Sequence, residues 1–370
     1  MKRKSFVEII QDFRLLPVFV IISMITGILI GKLYGISNYE LTPPIEAIKS
    51  IFKGTYQFSL PNTLALGVVV GLFLMMYPCM TNVRINDLGS AFRARKQLAI
   101  VLFFNFAIAP FWMLLLANIF LQSGSDMHTG LILYGLAPCI AMVIVFTFLA
   151  QGNNALALVL VAINSIMQMV LIPVYAYILL GEVNFDVLVV GESVILYLGL
   201  PLVAGFLTRK YGVQKWGEEK FEKMHMYLHS LAIVGLLFTL VVMFALKGDL
   251  ILESPTFIIK MAIPMTIFFW SMFGVVYLVC KIIGLNYKDS VACAFNTTGR
   301  DFEIAIAIAI TAFNPIVALA TVVGPLIEVP VMLVLVAFAK RTCYWFKECK
   351  LELPHCRRFE IPSMERLHEE

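Results

Sequence analysis

The chain is dominated by a succession of about ten apolar runs of roughly 20 residues each, separated by short polar segments. An α-helix needs a run of this length to cross the hydrocarbon core of a bilayer. Hydrophobic residues make up 60% of the chain and charged residues only 14%, whereas soluble domains average about 25% charged residues. Because few soluble folds could bury so much apolar surface, the runs predict an all-α polytopic membrane protein.

The apolar runs predict ten transmembrane helices. The predicted spans are Leu15–Leu33, Asn62–Tyr77, Gln97–Leu121, Thr129–Ala150, Asn154–Leu180, Val187–Leu207, Met224–Leu246, Thr256–Ile283, Asp289–Phe313 and Ile316–Ala339. Lys and Arg are concentrated at the N-terminus, in the second and sixth loops and in the tail, while Gln122–His128 and Gly181–Asp186 contain neither. This bias predicts a protein of the plasma membrane with both termini in the cytoplasm.

The fourth and ninth spans are both interrupted, at Pro138 and near Gly299. Each is followed by a short polar turn and by a helix that carries a polar residue before a proline. This correspondence predicts two inverted five-helix repeats, residues 15–180 and 181–339, in which the fourth and ninth helices are discontinuous and cross. An N-terminal segment, 1–14, and a tail, 340–370, are predicted to lie in the cytoplasm.

The first break carries the candidate ligand Cys139. Pro138 cannot donate a backbone hydrogen bond and clashes with the preceding turn, so the freed carbonyl groups need partners inside the protein. Cys139 then stands at the N-terminus of a half-helix, where a thiolate is favoured. A thiolate suits soft ligands such as copper(I) or trivalent arsenic. The alternative, which position alone favours, is a small apolar residue that packs a helix joint.

The second break carries charge. Arg300 and Asp301 follow Gly299 directly, and Glu303 comes next. A charged residue in mid-membrane costs about 2.5–3.5 kcal/mol on insertion scales and usually has a function. These residues are therefore candidates for coupling transport to protons or cations, or for anchoring an anionic group through Arg300. The alternative is an internal ion pair that holds the broken helix together.

Glu328 is an isolated carboxyl group in the tenth span and a candidate proton carrier. It is equally well explained as a partner for Arg300, and the two roles are compatible. Asn105, Asn164 and Gln168 are polar residues in apolar surroundings, where most such groups form interhelical hydrogen bonds. Asn105 and Asn164 are also candidate ligands for substrate.

Several functional classes are excluded by what the sequence lacks. It contains no glycine-rich nucleotide loop, no zinc-binding motif and no obvious set of nucleophile and base, so neither an ATP-driven pump nor an enzyme is predicted. No cofactor, resident metal or nucleic-acid partner is expected, and a homo-oligomer is compatible with the sequence. The tail residues Cys343, Cys349 and Cys356 are predicted to be free, reduced thiols.

Four motifs occur in an order typical of one family. They are Met75–Pro78, Gly135–Val143, Phe302–Ala307 and Gly324–Pro330. Together they resemble the arsenical-resistance permeases of the bile acid, arsenite and riboflavin transporter superfamily. The resemblance implies ten helices in two inverted repeats and efflux of arsenite, in some members also antimonite, in exchange for protons. It assigns the important thiol of the family to Cys139 and the membrane carboxylate to Glu328.

The chain departs from this family at Gly299-Arg300-Asp301, where Ser-Asn-Asn is usual before Phe-Glu. A charge pair thus replaces two neutral amides. The sequence therefore leaves two transport hypotheses open. The first is proton-coupled arsenite efflux, and the second, favoured by Arg300 and by Thr298-Gly299, is a sodium- or proton-coupled organic anion symporter. A membrane sensor is a third class, but the tail is too short for an output domain.

Overall fold

The computed structural model describes residues 16–35, 94–140, 142–181, 187–217, 256–313 and 315–346, with scattered positions between 63 and 81 and between 220 and 245. The predicted N-terminal segment 1–14 and most of the predicted tail 340–370 lie outside the described residues, as does much of the second and seventh predicted spans. The positions described within those two spans are helical.

The described residues form helices throughout. In chain order these are α1 Leu16–Tyr34, α2 Arg95–Leu102, α3 Ala109–Phe120, α4 Asp126–Leu136, α5 Met142–Leu149, α6 Asn154–Leu179, α7 Val187–Val194, α8 Leu200–Trp216, α9 Thr256–Ile282, α10 Tyr287–Thr298, α11 Phe302–Ala312 and α12 Pro315–Arg341. A π-helical turn, Phe103–Ile108, joins α2 to α3, and a second, Ile195–Gly199, joins α7 to α8.

Among the described residues, five continuous helices are long and apolar enough to cross a membrane. They are Arg95–Phe120, Asn154–Leu179, Leu188–Trp216, Thr256–Ile282 and Ile316–Arg341. Large apolar side chains cover their outer faces, as on α6, where Val170 is 66% exposed and Tyr177 65%. Because such surfaces are stable only against lipid, the chain is a multi-pass membrane protein. The arrangement of ten helices in two inverted repeats stays a prediction.

The first π-helical turn has a local cause. Pro110 has no N–H to donate to the carbonyl of Phe106, four residues earlier, so the helical hydrogen bond is missing there. The hydroxyl of Tyr175 on α6 donates to the Phe106 carbonyl instead. The turn also places Asn105, which is buried, on the inner side of the helix. A side chain of a neighbouring helix thus replaces the backbone hydrogen bond that the proline removes. Such a replacement is needed in a membrane, because lipid offers no hydrogen-bond partner.

The two interrupted helices have the breaks that the sequence predicts. Residues 137–141 separate α4 from α5, and residues 299–301 separate α10 from α11. Side-chain caps begin the first half of each pair: the Ser125 hydroxyl accepts the His128 N–H at 3.2 Å, and Asn286 Oδ1 accepts the Asp289 N–H at 2.7 Å. The first half-helix of each pair therefore begins with a side-chain cap that satisfies a free N–H group.

Away from the breaks, hydrogen bonds join the turn that follows α5 to the first turn of α10. Asn153, which caps α6, donates from its backbone N–H to the Lys288 carbonyl at 3.0 Å and from its side chain to Asp289 at 2.8 Å. The Tyr287 hydroxyl donates to the Ala150 carbonyl at 2.9 Å. The helix α12 packs against α4, α9 and α11, which brings Glu328 to the two breaks.

One prediction about the tail is wrong. Cys343 lies in a 3₁₀ turn, Cys343–Trp345, where it is buried and disulfide-bonded rather than a free thiol. Its partner is outside the described residues, because the other described cysteines are free. Phe346 packs on Tyr277 and Tyr287, with ring centroids 5.0 Å and 5.9 Å apart. These aromatic contacts fold the turn back onto α9, which composition alone does not reveal.

Candidate functional site

The two helix breaks meet as a short antiparallel backbone pair between Pro138 and Arg300. The Cys139 N–H donates to the Gly299 carbonyl at 3.0 Å, and the Asp301 N–H donates to the Ala137 carbonyl at 2.8 Å. Backbone groups that each break removes from its own helix are therefore satisfied by the other break, where lipid could offer no partner. The expectation that the two breaks meet is confirmed.

The close approach of the breaks depends on Gly299. A Cβ atom at this position would lie 2.8 Å from Val143 Cγ2 and 3.0 Å from Cys139 Cβ. The first separation is shorter than carbon atoms tolerate and the second is unusually tight, so a larger residue would force Val143 or the Cys139 break to shift. The glycine is thus required by packing against the thiol-bearing break.

Glu328 on α12 connects both breaks through its two carboxyl oxygens. Tyr134, in the last turn of α4, donates its hydroxyl to Glu328 Oε2 at 2.6 Å. The backbone N–H of Arg300 donates to Glu328 Oε1 at 3.3 Å. The Tyr134 ring packs directly on Gly324, where there is no room for a side chain: an added Cβ would lie 2.4 Å from Tyr134 Cε2. A single buried carboxyl group therefore contacts the first interrupted helix and the second.

The Arg300 side chain is fully buried and is surrounded by neutral oxygen atoms. Its guanidinium donates to the Gly135 carbonyl at 3.3 Å, to Asn105 Oδ1 at 3.0 Å and to the Thr297 carbonyl. It also lies 5.0 Å from the centre of the Phe268 ring, a cation–π contact. These groups, which we call the Arg300 cradle, distribute the hydrogen bonds of the guanidinium over four helices, and the Glu328 carboxyl group lies close enough for electrostatic attraction.

The alternative that Arg300 and Asp301 form an ion pair is not found in the described part of the chain. Asp301 instead caps α11, where its Oδ1 accepts the Ile304 N–H at 3.1 Å. Its Oδ2 has no hydrogen-bond partner among the described residues. Glu303 is buried in the first turn of the same helix. Two acidic groups at a helix N-terminus are stabilised by its partial positive charge.

Cys139 is a free, buried thiol beside these groups. It precedes the first turn of α5, and the backbone N–H of Val143 bonds to its side chain. The thiol is near enough to Glu328, Glu303 and Asp301 for electrostatic interaction. The thiol and the Glu328 carboxyl group lie next to each other at Gly299, because a Cβ atom there would be 3.0 Å from Cys139 Cβ and 3.4 Å from Glu328 Oε1.

The predicted polar ligands have different surroundings. Asn105 is engaged in the Arg300 cradle, and its Nδ2 donates to the Asn296 carbonyl at 3.0 Å. Asn164 and Gln168 are fully buried on one face of α6, and neither amide has a hydrogen-bond partner among the described residues. The structure therefore brings Asn105 to the crossing but joins neither Asn164 nor Gln168 to it by a hydrogen bond. Contact of Asn105 or Asn164 with substrate stays a prediction.

Sequence reasoning missed Tyr134 and Thr297. Tyr134 stands in an apolar helix, where it resembles a packing residue, and its partner Glu328 is 194 positions away. One signal was available, because a tyrosine hydroxyl buried in a membrane helix needs a hydrogen-bond partner. Thr297 contributes only its backbone carbonyl to the Arg300 cradle, so its side chain gives no indication of this role.

Interrupted helices that meet at their breaks, with ionisable groups and a buried thiol at the meeting point, are typical of membrane transporters. The Sodium Bile acid symporter family matches residues 69–254. The chain is also 35% identical to the Arsenical-resistance protein Acr3 of Alkaliphilus metalliredigens, over 92% of this chain and 95% of the relative.

Two further relatives cover most of the chain. The Arsenical-resistance protein Acr3 of Corynebacterium glutamicum is 32% identical over 87% of this chain and 86% of its own length. An uncharacterized transporter of Synechocystis is 34% identical over 94% of both chains. The chain belongs to the Sodium Bile acid symporter family, and its predicted relationship to arsenical-resistance permeases is confirmed. It is therefore a transporter and not an enzyme.

Proposed function

We propose that this transporter exports arsenite, and its chemical analogue antimonite, in exchange for protons. The observation that carries the proposal is the free Cys139 thiol at the crossing, beside the Glu328 carboxyl group. Trivalent arsenic prefers soft sulfur ligands. The two curated relatives that carry the name of arsenical-resistance proteins support the same class of substrate.

Neutral arsenous acid can bind Cys139 by exchange of one hydroxyl group. One As–O bond breaks, one As–S bond forms, and the thiol proton leaves with the hydroxyl as water. The oxidation state of arsenic does not change, so the step reverses on the other side of the membrane without a reductant. A single thiol suits a carrier, because one As–S bond holds the cargo less firmly than a chelate would.

Glu328 supplies the coupling to protons. Ionised, it accepts from both Tyr134 and the Arg300 N–H, because a carboxylate is an acceptor on both oxygens. Once protonated, one of these oxygens becomes a donor, so one of the two hydrogen bonds must weaken or reverse. Protonation therefore changes the link between α12 and one of the breaks, which lets a proton bias the conformation.

The Arg300 cradle favours protons over sodium as the coupling ion. Sodium would need several oxygen ligands at the crossing. The Gly135, Thr297 and Asn105 oxygens are hydrogen-bonded to the guanidinium, which leaves Asp301 Oδ2 as an oxygen there without a described partner. The same contacts disfavour the organic anion alternative, because an anion could bind Arg300 only by displacing them. Asp301 and Glu303 are proposed to act with Glu328 in coupling.

The proposed topology is that of two inverted five-helix repeats, residues 15–180 and 181–339, in the plasma membrane with both termini cytoplasmic. In that orientation the turns at 150–153 and 283–286 face the cytoplasm. The tie between Asn153 and Asp289 supports this arrangement, since it puts both turns on one side. Arsenite would then approach the crossing from the side of these turns.

Everted membrane vesicles test the proposal, because the cytoplasmic face of the carrier is then outside. Vesicles with an acidic lumen are expected to accumulate arsenite, and a protonophore is expected to stop the accumulation. Replacement of sodium by choline should change nothing. Vesicles with the Cys139→Ser variant should take up no more arsenite than vesicles that lack the protein. Uptake that survives this substitution would contradict the role of the thiol.

A further inference from the structure

Two side-chain amides of α6 are buried without hydrogen-bond partners. Asn164 and Gln168 lie one helical turn apart on the same face of α6, and neither has any exposed surface. The oxygen and the nitrogen of both amides have no hydrogen-bond partner among the described residues. Ser165, which follows Asn164, differs, because its hydroxyl donates to the Val161 carbonyl at 2.9 Å. An unpaired buried amide destabilises a fold, so a ligand explains this pair better than packing does.

Asn164 lies at the depth of the second break. The Asn153 N–H donates to the Lys288 carbonyl at 3.0 Å, which fixes the register of α6 against α10, and the two helices pack together. Asn164 is 11 residues beyond Asn153, and Gly299 is 11 residues beyond Lys288. Both positions are therefore about 16 Å further along their helices, which puts the Asn164 amide level with Gly299.

The first break, which carries the thiol, lies at the same depth. Helices α5 and α6 form a hairpin that turns at Gln151-Gly152, and the two helices pack against each other. Cys139 is 12 residues before Gln151, and Asn164 is 12 residues after Gly152. The hairpin therefore brings Asn164 to the level of Cys139, with Gln168 one turn beyond it.

The face of α6 that carries the amides is turned toward the helix of Asn105. Tyr175 lies on this face, two helical turns after Gln168, and its hydroxyl donates to the Phe106 carbonyl. Phe106 follows Asn105, whose Oδ1 accepts from the Arg300 guanidinium at 3.0 Å. The two amides therefore face the side from which the Arg300 cradle is built.

Gln168 also corresponds to Glu328 in the proposed repeats. It is the fifteenth residue of α6, and Glu328 is the fourteenth residue of α12. Each of these two helices follows an interrupted helix. Because Glu328 contacts both breaks, the correspondence supports a position for Gln168 beside them.

We propose that Asn164 and Gln168 bind the hydroxyl groups of arsenous acid while Cys139 binds its arsenic, an assignment that rests on the proposed function. Arsenous acid has three hydroxyl groups. One of them leaves with the thiol proton as water when the As–S bond forms, and arsenic stays trivalent. Two hydroxyl groups remain on the bound cargo, one for each amide. Because an amide and a hydroxyl each donate and accept hydrogen bonds, the pair matches a neutral hydroxylated ligand.

The amide pair gives the carrier selectivity for hydroxyl groups. The described conformation is closed around both amides, so the cargo reaches them when the helices at the crossing separate during transport. The hydroxyl groups of the cargo then satisfy donors and acceptors that have no partner in this conformation, which favours closure around arsenite. Such a site discriminates against an analogue that lacks a hydroxyl group, because an amide is then left unpaired.

The test compares uptake of arsenous acid and of methylarsonous acid, in which a methyl group replaces one hydroxyl, by everted vesicles. The unaltered protein should prefer arsenous acid. Asn164→Leu and Gln168→Met, which replace each amide by an apolar group, should each raise the KM for arsenous acid by roughly two- to tenfold, the effect of one hydrogen bond. The KM for methylarsonous acid should rise less, so the preference should fall. Ser165→Ala is the control and should keep the preference, because this hydroxyl is bonded within its own helix.

Thermal unfolding of the purified, full-length protein in detergent gives a second readout. Without arsenite, Asn164→Leu and Gln168→Met should have the Tm of the unaltered protein or a higher one, because each removes an unpaired buried amide. The rise in Tm that arsenite causes should be smaller in both variants. A clearly lower Tm without arsenite would show that the amides are paired in the fold and would overturn the assignment.

The uptake assay separates this assignment from the transport function. Arsenite uptake with an unchanged preference in both variants would overturn the role of the amides and leave arsenite export standing. No arsenite uptake by the unaltered protein would overturn the proposed function, and the assignment with it.

Discussion

The Tyr134 hydroxyl lies 2.6 Å from Glu328 Oε2, although 194 residues separate the two along the chain. This hydrogen bond joins the first interrupted helix to α12, and the other oxygen of Glu328 accepts the N–H of Arg300 at the second break. One carboxyl group thus contacts both breaks. The proposed exchange of arsenite for protons depends on this arrangement.

Tyr134→Phe removes the hydroxyl and keeps the ring, which packs edge-to-face with Phe269 at 6.4 Å. Because Glu328 Oε2 loses its buried donor, we expect a loss of about 1–3 kcal/mol in stability. The pH dependence of arsenite uptake should also change, since the donor acts on the proton carrier. Arsenite uptake by everted vesicles, measured over a series of pH values, gives this pH dependence. A profile that overlies that of the unaltered protein would show that the hydroxyl has no part in coupling.

Glu328→Gln preserves the size and one acceptor oxygen of the side chain but cannot bind or release a proton. Uptake driven by a pH gradient should be abolished, while exchange of labelled for unlabelled arsenite, which needs no net proton movement, should persist. The matched control is Glu192→Gln, which changes an exposed carboxylate on α7 and should leave both activities intact. Gradient-driven uptake by Glu328→Gln would refute the assignment of the proton carrier.

Arg300→Lys keeps the charge but replaces a planar fork by a single ammonium group. Lysine cannot reach Gly135, Thr297 and Asn105 together, so one or more charge-assisted hydrogen bonds should be lost, at about 1.5–3 kcal/mol each. Thermal unfolding in detergent measures this loss. Arg209→Lys is the comparison, because Arg209 also donates to a carbonyl, that of Thr81 at 3.1 Å, and stacks on a phenyl ring. Equal destabilisation by the two substitutions would contradict a special role for the Arg300 cradle.

Gly299→Ala places a methyl group 2.8 Å from Val143 and 3.0 Å from Cys139. We expect the two breaks to separate, with a loss of about 1–3 kcal/mol from overpacking and a loss of uptake. Gly274→Ala is the control, since nothing lies within 4 Å of a Cβ atom there, and alanine favours helix. Both variants are compared by thermal unfolding and vesicle uptake. Normal behaviour of Gly299→Ala would mean that the crossing is not tightly packed.

The sequence predicts much of this fold because lipid imposes simple rules on it. Apolar runs of the right length indicated the spans, and Pro138 and Gly299 indicated the breaks, since freed backbone groups must be buried in protein. Pro110 marks the helix that contains the π-helical turn Phe103–Ile108, but the group that replaces its missing hydrogen bond, the Tyr175 hydroxyl of another helix, was not predictable.

The site was predictable only in its ionisable residues. Arg300 and Glu328 stand out as charges in apolar segments, but their partners do not. The guanidinium is held by two backbone carbonyls and an amide oxygen, and backbone groups are identical at every position of a sequence. The expected alternatives for Arg300 were an ion pair or an anion site, and its two terminal nitrogens instead donate to neutral oxygens of separate helices. The disulfide at Cys343 was also not predicted, because the composition of the tail does not show which residues contact one another in the fold.

We propose that arsenite is exchanged for protons, with Cys139 binding arsenite and Glu328 binding the proton. The most direct test is the purified chain in proteoliposomes that contain a pH-sensitive dye, with an arsenite gradient and no initial pH difference. We predict that outward flow of arsenite acidifies the lumen, without any requirement for sodium, and that Cys139→Ser and Glu328→Gln each abolish the pH change. Arsenite flow with no change in lumenal pH, or flow that occurs only with sodium, would contradict the account.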